Sequence, residues 1–79
     1  MKTEPEIRDL LARIYRELGK DPAELVRVAP LYGGWYNSLK YEVVRADDAR
    51  THIWRKDIED TNQEAIAAAL KAFAPPKKR

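Results

Sequence analysis

A chain of 79 residues holds one small domain, which buries only about 60% of the surface its unfolded form exposes, so each apolar side chain counts. Its 44% hydrophobic and 35% charged residues are a globular composition, and zero cysteines remove disulfides, thiolate metal sites and cysteine nucleophiles together. The formal net charge of +2 resides in Lys77, Lys78 and Arg79, since the remaining 12 Lys/Arg stand against 13 Asp/Glu, and a near-neutral body weighs against binding to duplex nucleic acid.

The first predicted element is a helix over 4–18. Ile7, Leu10, Leu11, Ile14, Tyr15 and Leu18 form one apolar stripe at helical spacing. Thr3 and Glu6 have capping-box spacing, Pro5 suits a first turn, and Gly19 stands where a helix stops. Asp21-Pro22-Ala23-Glu24 is a second helix-start signal. Leu25, Val26 and Val28 then either finish a short helix ended by Pro30, as the cap favours, or alternate around Arg27 as a strand, as β-branching favours. Residues 25–29 are left open between the two, with one helical turn leading into a short edge strand preferred.

Leu31 to Ser38, with Gly33 and Gly34, reads as a loop. Strands are expected over 38–45 and 50–57 around Ala46-Asp47-Asp48-Ala49, pairing Tyr41 with Trp54 and Val43 with His52. One face then holds Leu39, Tyr41, Val43, His52 and Trp54, and burial of these aromatics would leave Val44 and Ile53 outside. Thr61 and Glu64 repeat the capping-box spacing before a stripe of Ile66, Ala69, Leu70 and Phe73. Pro75-Pro76 ends that helix. The expected architecture is α+β in two layers: an N-terminal helix, a two- to three-stranded antiparallel sheet and a C-terminal helix. A single domain over 1–74 and a disordered basic tail over 75–79 complete it.

The order of elements and the alanine-rich run Ala65-Ile66-Ala67-Ala68-Ala69-Leu70 are similar in outline to double-stranded-RNA-binding domains. Three strands followed by such a helix also resemble AP2-like DNA-binding domains. The RNA-binding family carries lysines where this chain has Thr61-Asn62-Gln63-Glu64, and its Gly-Pro-x-His-type loop is absent, so neither resemblance assigns a family.

Catalysis has little to draw on. His52 is the only histidine and Ser38 the only serine, with no motif relating them. Asp57, Glu59 and Asp60 read as solvated carboxylates and a helix cap rather than a cation site, and Asp47-Asp48 reads as a turn. No phosphate loop, catalytic residue, metal site or cofactor is expected, and hence no enzyme.

Tyr32, Trp35 and Tyr36 stand out, three large rings in a loop with two glycines. Rings of this kind either cap a small core or form the centre of an interface. The expected function is therefore that of a small adaptor or inhibitor binding another protein through Tyr32, Trp35 and Tyr36. The alternative is a nucleic-acid-binding domain using Lys40, Arg45, Arg50 and Arg55 of the hairpin with Lys77, Lys78 and Arg79 of the tail. A further alternative, suggested by the regular helix signals, is a designed chain without natural function. No apolar run approaches the length that crosses a membrane, and Met1-Lys2-Thr3-Glu4 leads into no signal-like stretch, so a cytoplasmic protein is expected. The sequence leaves the oligomeric state open.

Overall fold

The N-terminal helix begins where its capping box puts it. In the computed structural model, which describes residues 2–32 and 39–75, the Thr3 hydroxyl accepts the Glu6 N–H and the Glu6 carboxylate accepts the Thr3 N–H at 3.1 Å. Helix α1 (Glu4–Glu17) buries Ile7, Leu10, Leu11, Ile14 and Tyr15, the apolar stripe read at helical spacing. The chain leaves it through Gly19 at φ 77, a left-handed conformation open to a residue without Cβ.

Asp21 caps a single 3₁₀ turn (Pro22–Glu24) by accepting the Ala23 N–H at 3.0 Å. Strand β1 (Leu25–Pro30) runs directly out of that turn, as expected. Strand β2 (Lys40–Arg45) pairs antiparallel with β1 on one side and with β3 (Arg50–Trp54) on the other, giving a three-stranded sheet in the order β1-β2-β3. Val26 is the extra residue of a bulge between Leu25 and Arg27.

The hairpin register differs by one residue from the expected one. Tyr41 pairs with Ile53 and Val43 with Thr51, so Trp54 and His52 are not their partners. The turn is the cause. The Arg45 N–H donates to the Ala49 carbonyl at 2.8 Å, which leaves three loop residues, Ala46-Asp47-Asp48, with Asp48 at φ 67. Aspartate tolerates that left-handed backbone, and the odd loop length moves β3 by one position, exchanging both of its faces. Ile53 and Thr51 therefore enter the core, while His52 and Trp54 point away from it and are exposed. Leu39, expected inside, lies just beyond the end of β2 and is exposed. Val44, expected outside, does face away from the helices yet is buried. Its lateral neighbours are Arg27 and Arg50, residues whose aliphatic stems shelter apolar surface.

Strand β3 stops at Trp54 rather than at residue 57. The Arg55 N–H donates to the Leu39 carbonyl at 2.7 Å, and a short helix α2 (Arg55–Glu59) takes over, setting Ile58 fully into the core. Asp57 and Glu59 thus lie on a helical turn, and Asp60 is its cap. Helix α3 (Gln63–Lys71) is capped by Asn62, which accepts the Ala65 N–H at 3.2 Å, and not by the expected Thr61–Glu64 box. Thr61 is displaced from that role because it closes the preceding turn at φ 51.

Helix α3 buries Ile66 and Leu70, and Phe73 beyond it meets Tyr15 edge-on with ring centroids 6.3 Å apart. The core is one cluster in which the α1 stripe, Val28, Val43 and Ile53 of the sheet, Ile58, Ile66 and Leu70 pack together. Buried Thr51 satisfies its hydroxyl by donating to the Ala69 carbonyl at 2.7 Å. The fold is α+β, with helices on one face of an antiparallel sheet. None of the described helices is long and apolar enough to cross a membrane.

Candidate binding surface

Pleating sorts the strand residues onto two faces, and lateral pairing arranges the outer one in rows. The first row is Arg27, Val44 and Arg50; the second is Ala29, Glu42 and His52. The third is Leu31, Lys40 and Trp54, with the Leu31 N–H donating to the Lys40 carbonyl at 2.9 Å. No helix covers these rows among the described residues.

Trp54 is 49% exposed on this open face, and the Lys40 ammonium lies 4.4 Å from its ring centroid. That separation allows a cation–π contact, worth about 0.5–1 kcal/mol at a wet site. In the middle row Glu42 accepts a hydrogen bond from Arg50 at 3.3 Å and meets the His52 Nε2 at 3.3 Å. At the sheet end beyond the third row, Tyr32 is 70% and Leu39 47% exposed. These two residues flank the segment 33–38 that joins β1 to β2.

The expected site residues are thus divided. Tyr32 is outward and solvated, whereas Trp35 and Tyr36 lie outside the described residues, as do Lys77, Lys78 and Arg79. Of the hairpin cations, Lys40 and Arg50 share the open face with Arg27, which the sequence reading passed over. Arg45 points to the opposite face, where it grips Asp47 through two hydrogen bonds of 2.8 and 2.6 Å and lies 4.9 Å from the Phe73 ring centroid. Arg55 belongs to α2. Arg45 and Arg50, both counted among the hairpin cations, are therefore separated by the sheet itself. Trp54 is the residue that sequence reasoning assigned to the wrong side. Its signal was the parity of the hairpin loop, which no glycine marks.

Charge perturbations follow the local geometry. Hydrogen bonds from Arg45 and from the Ala49 N–H hold the Asp47 carboxyl down at about 2. The Thr3 backbone and hydroxyl lower Glu6, and the Asp60 carboxylate raises Lys56. Burial raises the Tyr15 phenol, assisted by its 2.6 Å hydrogen bond to Glu24. Each is explained by a cap, a turn, an i,i+4 ion pair or a packed ring.

A histidine beside a carboxylate can serve proton transfer when a reactive group adjoins it. Around His52 the open face offers Glu42, Arg50 and Trp54, with no serine, threonine or cysteine among the described residues of its three rows. Among the described residues no group of three His, Asp or Glu side chains is close enough to hold a metal. The groove between α1 and Thr61 is lined by Lys2, Glu6, Asp9, Leu10 and Arg13, of mixed charge and with no convergent polar set. What the open face presents is an aromatic and cationic surface, Trp54 with Arg27, Lys40 and Arg50. No family model, curated protein or solved structure matches this chain.

Proposed function

We propose that this chain is a non-enzymatic binding domain that acts on another protein, as an adaptor or inhibitor does. Its contact surface is the sheet end that carries Tyr32, Leu39 and Trp54; Trp35 and Tyr36, assigned to the same role from the sequence, lie outside the described residues. One observation carries this assignment. Large hydrophobic residues exposed among those described are Val26, Tyr32, Leu39 and Trp54, and the last three gather at the end of the sheet where residues 33–38 connect its strands. Tyrosine and tryptophan at such a place are the residues that dominate interface energetics, because they bury much area at low entropic cost. Tyr32→Ala and Trp54→Ala, compared with the parent by melting and by crosslinked capture of bound protein, test it. The expected result is retained cooperative folding with loss of the captured species. Capture unchanged in both variants would refute it.

A second function, nucleic-acid binding, is supported by one arrangement: Arg27, Lys40 and Arg50 on the same open face. The near-neutral body and the central Glu42 oppose it, since affinity for nucleic acid is driven by unopposed cations along the backbone track.

A further inference from the structure

We infer that the partner offers the open sheet face an acidic segment in extended conformation, with an apolar side chain seated on Trp54. This rests on the protein-binding function proposed above and names the chemistry of that partner.

Charge placement carries the inference. Across the three strands Glu42 is the only carboxylate, against Arg27, Lys40, Arg45 and Arg50. Arg45 turns inward, so the open face holds three cations and one acid. Every other carboxylate lies on the helices, the turns between elements or the 3₁₀ turn. The near-neutral sum thus hides a polarised molecule whose sheet face is positive. Such a face raises the encounter rate of an acidic partner and repels a basic one.

Row spacing sets the form of the occupant. The Arg27/Arg50 row and the Lys40/Trp54 row are four residues apart along β2, about 13 Å at strand rise. An extended segment lying along β2 spans that distance with residues i and i+4, which share one of its faces. An acidic side chain then meets the arginine row while an apolar one covers the half-exposed Trp54 ring. Pairing with the outer edge of β1 is disfavoured, because the bulge at Val26 and the proline at position 30 interrupt its ladder. The outer edge of β3 is taken at Arg50, which exchanges backbone hydrogen bonds with Ala74, and the charge pattern favours docking on the face. Leu31 beside Lys40 and Trp54 fits side chains better than phosphates, and Glu42 in the centre repels a continuous polyanion.

The test is selection of displayed random peptides on the purified full chain. Binding is then measured to the parent, to the double variant Arg27→Glu/Arg50→Glu and to Trp54→Ala. Selected peptides should be enriched in Asp and Glu around an aromatic or aliphatic residue and should bind less tightly as salt rises. They should lose about tenfold or more in affinity on each variant. Should charge reversal unfold the chain, Arg27→Gln/Arg50→Gln replaces it, with circular dichroism melts as control and the same loss expected in direction. Peptides lost by Trp54→Ala but insensitive to the arginine changes overturn the acidic class and leave the protein-binding surface standing. Peptides insensitive to all variants, or no selectable peptide, overturn both. An oligothymidine strand bound more tightly than any selected peptide, and released by the arginine changes, overturns the inference in favour of nucleic acid.

Discussion

Replacing Ile53 and Trp54 singly by alanine separates the two faces of β3. Ile53 is 2% exposed and lies within the core cluster. Removing its carbons beyond Cβ forfeits about 0.8 kcal/mol for each, and the cavity left behind brings the total to about 3–4 kcal/mol. A domain this small has about that much stability altogether. Ile53→Ala should therefore be largely unfolded at room temperature by circular dichroism. Trp54 is 49% exposed, so of the roughly 200 Å² an indole side chain can bury, about half is already wet. The remaining ~100 Å² corresponds to about 2.5 kcal/mol as an upper bound, because a compact unfolded chain covers part of it too. No closed cavity forms on an open face, which leaves about 1–2 kcal/mol. At ~4–8 °C per kcal/mol for a domain of this size, Trp54→Ala should still melt cooperatively, about 10 °C below the parent. The opposite order, with Trp54→Ala unfolded and Ile53→Ala close to the parent, would refute the hairpin register.

Three further outcomes are expected. Thr61 holds a left-handed φ of 51, which strains a β-branched residue by about 1–2 kcal/mol, so Thr61→Gly should raise the melting temperature by a few degrees despite the entropy glycine adds to the unfolded chain. The Asp47 carboxyl titrates at about 2 when folded and near 4 when unfolded; its contribution is complete above pH 4 and disappears between about 4 and 2, and Asp47→Asn should flatten the acid limb of a melting-temperature profile there. Tyr15→Phe keeps the buried ring but removes the 2.6 Å hydrogen bond to exposed Glu24, costing about 0.5–1.5 kcal/mol in a denaturant titration, since no buried group is left unpaired.

Helix α1 was legible in full because spacing, capping box and terminal glycine all agree on it, and local signals that agree leave few competing structures. The edge strand after Asp21 was legible only in part: the cap favoured a short helix and the β-branched residues a strand, and pairing with β2 decides between them. Position 48 was not legible. Asp and Asn enter left-handed backbone without announcing it as glycine does, and loop parity depends on that one residue. Everything about the faces of β3 follows from it, including the exposure of Trp54 and the burial of Ile53. Asn62 against Thr61 is a similar case, since both are good caps and only the turn after α2 decides between them. The aromatic loop announced itself as a candidate through composition alone. The place of Trp54 on the open sheet face, and the company of Arg27 there, required three-dimensional pairing that no local pattern encodes.

Fluorescence of Trp54 tests the binding surface most directly. In Trp35→Phe it is the remaining tryptophan of the two in the chain, and the open face leaves its ring accessible to a soluble quencher. Iodide or acrylamide should therefore quench the free protein efficiently, and a bound acidic peptide should shield the ring and shift its emission to the blue. A tryptophan shielded in the free protein would contradict the register. One that remains equally quenchable with the partner bound would contradict the assignment of this face as the contact surface.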